Sequence, residues 1–83
     1  MYLVAMGEVD FIGFTVAVCS DLDKAKAVAR QYAFNREVTW KWIPSMAING
    51  AWQGTYTMNP LGQDIRKTVW IYETAVDGGL AWA

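Results

Sequence analysis

The residues with the most evident chemical potential are four aromatic rings in the middle of the chain: Trp40, Trp42, Trp52 and Tyr56. Nucleobases and other planar ligands stack on such rings. Cations near them can pair with a phosphate or stack on a ring, and these cations are Arg36, Lys41, Arg66 and Lys67. Core packing of the rings and solvent exposure of the charges explain the same residues and are the commoner arrangements. The sequence thus predicts a ligand-binding site beside a purely structural interpretation.

Catalysis and metal binding lack their usual residues in this chain. It contains no histidine, the commonest general base and neutral metal ligand, and Cys19 is its single cysteine. One cysteine excludes an intramolecular disulfide and a thiolate metal site built from this chain alone. The acidic pairs Glu8 with Asp10 and Asp21 with Asp23 are explained by turn formation and helix capping. We therefore predict a non-enzymatic protein with no catalytic residue, no metal and no cofactor.

Length and charge limit the class of protein further. The chain has 83 residues, of which 54% are hydrophobic, and its formal net charge is −1 with the basic residues scattered. Because affinity for a phosphate backbone comes mainly from clustered Lys and Arg, a long nucleic acid is not the expected partner. No apolar run reaches the roughly 18 residues that cross a bilayer, and the first residues lack the basic region of a signal peptide. These features predict a cytoplasmic protein without a membrane partner.

The first half of the chain predicts a β-hairpin followed by a helix. Residues 2–6 and 11–19 are apolar and rich in Val, Phe and Tyr, and the intervening GEVD favours a turn. Ser20 is positioned to cap the helix, which continues through an Ala- and Lys-rich stretch, and Asn35 is a suitable stop. The apolar stripe of this helix contains several alanines, so we expect it to pack closely on a sheet.

The second half of the chain predicts three more strands. The stretch VTWKWI alternates with period two, and Pro44 after it indicates an edge strand or a bulge. Asn-Gly at residues 49–50 is a typical signal for a two-residue hairpin turn, and this turn pairs Ile43 with Tyr56. A further turn in NPLGQD leads to the last strand, over residues 65–76. Its alternation predicts that Trp70 and Tyr72 lie on one side and Val69 and Ile71 on the other.

The order of elements, β-β-α-β-β-β, determines the expected fold. Short connections favour an α+β fold with an antiparallel sheet of about five strands and one helix packed on one face. We assign residues 1–79 to this single domain and residues 80–83 to an apolar C-terminal tail.

One helix covers only part of the apolar surface that both faces of such a sheet offer. The other face is then either solvated or buried against another chain, and we predict a homo-oligomer. The tail ends in a Trp-containing segment, which can dock on its own domain or on a sister subunit, because Trp is favoured at interfaces. The predicted interface residues are Trp70, Tyr72, Leu80 and Trp82.

The layout as a whole resembles small uncharacterised accessory proteins that bacteriophages encode. The segments that carry the resemblance are the opening hairpin, the CSDLDKAKAVARQY helix, the W-x-W and NG-x-W hairpin, and the closing VWIYET strand. The resemblance implies a compact protein that binds a host component. Inhibitors of host defence occur among such proteins, and some of them sequester nucleotide-derived immune signals between subunits.

Three classes of function follow from these expectations. We favour a non-enzymatic oligomeric binding protein, because histidine is missing and aromatic surface is abundant. Its target is either a small nucleotide-like ligand or a host protein that it inhibits. The alternative is a structural protein of the virion or of its assembly. An enzyme would need a Lys or carboxylate base in a closed pocket.

Overall fold

The computed structural model of the protein describes residues 1–46 and 49–73. These residues form β1 (Tyr2–Glu8), β2 (Phe11–Cys19), α1 (Leu22–Tyr32), β3 (Thr39–Ile43), β4 (Ala51–Met58) and β5 (Ile65–Glu73). The strands make one antiparallel sheet in the order β2-β1-β5-β4-β3. The predicted α+β class, with one helix on a five-stranded antiparallel sheet, is confirmed. The predicted tail at residues 80–83 lies outside the described residues.

The last strand of the described residues, β5, is the central strand of the sheet. It lies between β1 and β4 and pairs with both of them antiparallel. Its period-two pattern separates Val69 and Ile71 from Trp70, as predicted, and the structure places the first two in the core under the helix and Trp70 in a second core on the other face. All three side chains are fully buried. A strand buried on both faces needs a continuous apolar run, and VWI supplies it.

The helix covers the half of the sheet formed by β2, β1 and β5. The residues that it buries on the sheet side are small, and they are Ala25, Ala29 and, just after its last turn, Ala33. Because alanine ends at Cβ, the helix approaches the strands closely. The rings of β3 and β4 therefore lie beside the helix and are only partly covered by it. Among the described residues, no helix combines the length and the apolar character needed to span a bilayer.

Local hydrogen bonds determine both ends of the helix. Asp21 is the N-cap, since its carboxylate accepts a hydrogen bond of 2.8 Å from the Lys24 backbone N–H. The prediction of Ser20 as the cap is wrong by one residue. The helix begins at Leu22, so the residue directly before it, Asp21, is the one whose side chain reaches the backbone N–H three residues ahead. At the other end, Phe34 and Asn35 have left-handed φ angles of 59° and 58°. This conformation confirms Asn35 as part of the helix stop.

The register between β3 and β4 differs from the prediction. Ile43 pairs with Ala51 instead of Tyr56, so the connection takes up residues 44–50 rather than a two-residue turn. The observed partner lies five positions from the predicted one. Because this number is odd, the side chains of β3 share a face with the other set of alternating side chains of β4 than the one predicted. The observed register places Trp40 opposite Gly54, where a Cβ would lie 2.7 Å from Cζ3 of the indole. Packing of this ring outweighs the local preference for a tight Asn-Gly turn.

The sheet face opposite the helix is partly covered by the chain itself. This finding corrects the expectation that Trp70 is an interface residue. The indole of Trp70 packs with Ala5 and Ala51, and its N–H donates a hydrogen bond of 2.9 Å to the carbonyl of Glu8. The side-chain amide of Gln53, on the same face, donates one of 2.8 Å to the carbonyl of Val9. The tip of the β1–β2 hairpin thus lies over this face. Trp70 is 0% exposed and offers no surface to a partner, so its assignment to an interface is wrong.

Gly13 allows the β1–β2 hairpin to bend over the sheet. The pairing of β1 with β2 changes register twice, between Val4 and Ala5 and between Met6 and Glu8. At the second change, Gly13 has a φ of 83° and lies so close to the Met6 carbonyl that a Cβ would collide with it. Only glycine combines this φ with so close an approach at low cost.

Candidate functional site

Three of the predicted rings gather on the helix side of β3 and β4, but they do not form an open stacking surface. Trp42 pairs with Trp52 across the strands, with ring centroids 5.0 Å apart and an angle of 62° between the planes. The Lys26 ammonium lies 5.1 Å from the centroid of Trp52, within the range of a cation–π contact. Trp42 remains 45% exposed. The rings mainly pack on one another and on the helix, which corrects the expectation of a free platform.

The third ring, Trp40, lines a groove between β3 and the helix. This groove has a volume of about 490 Å³, and its other lining residues include Lys26, Arg30, Glu37 and Val38. The Trp40 groove, as we call it, thus contains two cations, one carboxylate and one indole. Lys26 and Arg30 were not among the predicted binding residues, because on the helix they follow the ordinary pattern of a solvated face.

A larger cleft opens at the end of the sheet, past the first residue of β3. The last pair of β3 with β4 is Thr39 with Thr55, and β4 continues beyond it without a β3 partner. The connection at residues 34–37 passes along this free end and encloses about 940 Å³. The sheet residues that line this cleft are Thr39, Thr55, Tyr56, Thr57 and Arg66. We call it the Arg36–Arg66 cleft.

The Arg36–Arg66 cleft is lined by two arginines that are 30 residues apart in the chain. Both arginines are exposed, and the side-chain hydrogen bonds among the described residues involve neither of them. Glu37 contributes one carboxylate, so the charged groups of the cleft sum to about one positive charge at neutral pH. Three threonine hydroxyls also line it, and that of Thr55 already donates a hydrogen bond of 3.5 Å to the Thr39 carbonyl. The cleft therefore has the polar groups that an oxyanion requires.

An exposed ring, Phe34, stands at the rim of the same cleft. It is 65% exposed, and its φ of 59° is uncommon for a large side chain. Such strain persists only where the surrounding structure holds it, and here the residue follows the last turn of the helix. Sequence reasoning missed Phe34, since periodicity gives no information on a ring that follows a helix. The spacing of Thr55 and Thr57, two positions apart in one strand, is a signal in the sequence that could have placed both hydroxyls on one face of the sheet.

Tyr56 belongs to the wall of the cleft rather than to a stacking site. Only 4% of the residue is exposed, and its ring is part of the core beneath the helix. Burial raises the pKa of the Tyr56 phenol above its ordinary value of 10.0, so the hydroxyl is neutral at physiological pH. The prediction that Tyr56 stacks on a ligand is thus corrected, because its ring faces are already in contact with the protein.

The remaining predicted residues lie apart from these two clefts. Lys41 pairs with Gln53 on the face opposite the helix, and Lys67 pairs with Tyr56 in β4; neither lysine lines a cleft. Tyr72 is half-buried, and its hydroxyl lies 3.0 Å from Oγ1 of Thr15. The predicted interface residues Leu80 and Trp82 fall outside the described residues.

Known proteins give no guide to these sites. Comparison with protein-family models, with curated proteins and with solved structures yields no match for this chain. In the part of the chain that the structure describes, no group of three or more His, Cys, Asp or Glu side chains is arranged to hold a metal ion. The chemistry of the Arg36–Arg66 cleft is therefore the basis on which a function can be argued.

Proposed function

We propose that this protein is a non-enzymatic binding protein that captures a small phosphorylated ligand in the Arg36–Arg66 cleft. The observation that supports this function is that two arginines, whose side chains have no hydrogen-bond partner among the described residues, line one cleft. Arginine presents a planar set of donors that matches a phosphate in two-point hydrogen bonds. Two such groups from different elements can hold one phosphate from two sides.

The other residues of the cleft favour a nucleotide over a simple anion. Phe34 offers an exposed ring, and stacking of a base on an aromatic side chain contributes about 1–3 kcal/mol. The Glu37 carboxylate can accept a hydrogen bond from a ribose hydroxyl or a base amino group, but it repels additional negative charge. A ligand with one phosphate charge, such as a cyclic nucleotide, therefore fits better than a triphosphate. The cleft volume lies within the usual range of ligand sites, about 300–1,000 Å³.

The proposal extends to where the protein acts. The resemblance in layout to small bacteriophage accessory proteins supports a phage-encoded anti-defence protein that works in the cytoplasm of the host cell. In that setting, binding without turnover is sufficient, because sequestering a nucleotide-derived immune signal lowers its free concentration. The absence of histidine from the sequence supports binding without catalysis.

Titration calorimetry at low salt tests the proposal with cyclic mononucleotides, AMP and inorganic phosphate as probes. Arg36→Gln and Arg66→Gln each remove a charge-assisted hydrogen bond worth about 1.5–3 kcal/mol, so each weakens binding at least about tenfold. The matched control is Lys24→Gln, which removes one positive charge from the first turn of α1, while the cleft lies at the far end of this helix of 11 residues. We expect its effect to stay below about twofold.

A second variant separates base stacking from phosphate binding. Phe34→Leu keeps an apolar side chain at the rim and removes the ring, so it weakens a nucleotide but leaves inorganic phosphate unchanged. Two results would contradict the proposed function: no heat of binding with any probe, or binding that both arginine variants retain. Chromatography of the recovered nucleotide adds a check, because conversion to a product would show an enzyme.

A further inference from the structure

We propose that β2 is the interface of a homodimer, in which the β2 strands of two chains meet edge to edge and antiparallel. The Arg36–Arg66 cleft belongs to the opposite side of the sheet, next to β3. This inference therefore goes beyond the proposed ligand site and stands independently of it.

In the sheet that the structure describes, β2 is an edge strand protected by neither charge, proline nor short length, although two register shifts bend it. It closes one side of the sheet, it is nine residues long, and its sequence FIGFTVAVC contains neither a charged residue nor a proline. An edge strand presents backbone N–H and C=O groups that another strand can pair with. Proteins that remain monomeric usually block such edges with charges, proline or short strands.

The other edge of the same sheet shows the protection that β2 lacks. β3 has only five residues, Lys41 stands at its centre, and Pro44 follows directly after it. Both edges belong to one molecule and meet the same solvent. The difference between them therefore indicates that β3 is kept free of other strands while β2 is available for pairing.

Large apolar side chains of β2 are exposed along this edge. Phe11 is 66% exposed, Phe14 69% and Val18 50%. Phe14 pairs with Met6 on the helix side of the sheet, but its ring is left uncovered. The register shifts in the β1–β2 pair bend the strand, so backbone pairing with a second copy is limited to short stretches. Most of the buried area then comes from these three side chains.

The area available matches a weak dimer. A fully covered aromatic side chain buries about 150–250 Å², so Phe11 and Phe14 offer roughly 250 Å² per chain. With Val18 and the strand backbone, two copies would bury on the order of 1,000 Å² in total, at the lower limit of specific interfaces. Because buried area alone does not determine affinity, the dimer is tested across the micromolar range in which weak complexes dissociate.

A second copy of the chain fits this edge better than an unrelated partner does. A two-fold axis brings the same surface to both sides, so an uncharged apolar edge is complementary to itself. No charge has to be desolvated, since β2 has none. The net charge of −1 on each chain adds little repulsion between the two copies.

Sedimentation equilibrium between about 1 and about 200 µM, which brackets the expected affinity, tests the dimer. Phe14→Glu places a charge in the proposed interface and raises the dissociation constant at least tenfold. Leu61→Glu is the matched control, because Leu61 is a fully exposed leucine in the β4–β5 connection. Its dissociation constant stays within twofold of the parent protein.

Hydrogen exchange on the unmodified protein provides a measurement that needs no variant. Dimer formation slows exchange of the β2 amides as the protein concentration rises and leaves the β3 amides unchanged. Binding of a nucleotide probe by Phe14→Glu should equal that of the parent, which separates loss of the dimer from loss of the cleft. A monomer over the whole range, a dimer indifferent to Phe14→Glu, or protection confined to β3 would overturn the inference. So would a monomer that binds an unrelated protein through Phe14.

Discussion

Replacing Trp70 with phenylalanine tests whether the chain covers the second face of its own sheet. The indole is fully buried against Ala5 and Ala51, and its N–H donates a hydrogen bond of 2.9 Å to the Glu8 carbonyl. Phenylalanine retains an aromatic ring but removes the donor. It also leaves a void where the larger part of the indole stood. The variant therefore perturbs the contact between β5 and the hairpin tip without removing the core.

The expected cost is the sum of these two losses. The hydrogen bond to the Glu8 carbonyl is partly buried, and its loss costs about 0.5–1.5 kcal/mol. The void adds roughly 1–2 kcal/mol, less than the 3–5 kcal/mol of a full truncation of Trp to Ala. We therefore expect the free energy of unfolding to fall by about 1.5–3.5 kcal/mol. For a domain of 83 residues, whose total stability is on the order of 4–12 kcal/mol, this is a large share.

Urea unfolding followed by far-UV circular dichroism measures this loss. With a slope of about 1–3 kcal/mol per molar urea, the midpoint falls by on the order of 1–2 M while the slope stays unchanged. Trp42→Phe is the matched control, since Trp42 is 45% exposed and keeps a ring next to Trp52. We expect it to cost about 1 kcal/mol or less. Equal losses for the two variants would refute the reasoning, because they would show that Trp70 is no better enclosed than Trp42.

Two further predictions concern the helix cap and the buried phenol. Asp21→Ala removes the acceptor of the Lys24 amide and lowers the free energy of unfolding by about 1 kcal/mol, whereas Ser20→Ala lowers it by less than about half as much. Thermal unfolding of both variants measures the two losses, and equal losses would contradict the assignment of Asp21 as the cap. Because burial raises the pKa of the Tyr56 phenol above 10.0, this phenol ionises at lower pH in the unfolded chain than in the folded protein. The neutral phenol therefore contributes to the stability of the folded protein in full below pH 10, and this contribution is lost as the pH rises above that value. In urea titrations across this pH range, Tyr56→Phe should reduce the fall in the free energy of unfolding at alkaline pH. Tyr32→Phe, which changes an exposed tyrosine, is the control, and the same reduction in that variant would contradict ionisation of Tyr56 as the cause of the fall.

Local patterns in the sequence determined the elements and their type. Alternation in VWIYE correctly separated the two faces of β5, and the alanine stripe correctly gave the buried side of the helix. Asn35 correctly indicated the helix end, since a left-handed residue is a local requirement. These features depend on neighbours within a few positions of the chain, and a single sequence contains that information.

Contacts between distant residues decided the rest. The register of β3 on β4 depends on how Trp40 packs over Gly54, and this packing overrides the local signal of Asn-Gly. The burial of Trp70 depends on a hairpin tip more than 60 positions away in the chain. The Arg36–Arg66 cleft combines a helix connection with the free ends of two strands. Side chains from separate segments meet only when the whole sheet is assembled, so no local pattern could indicate these three features.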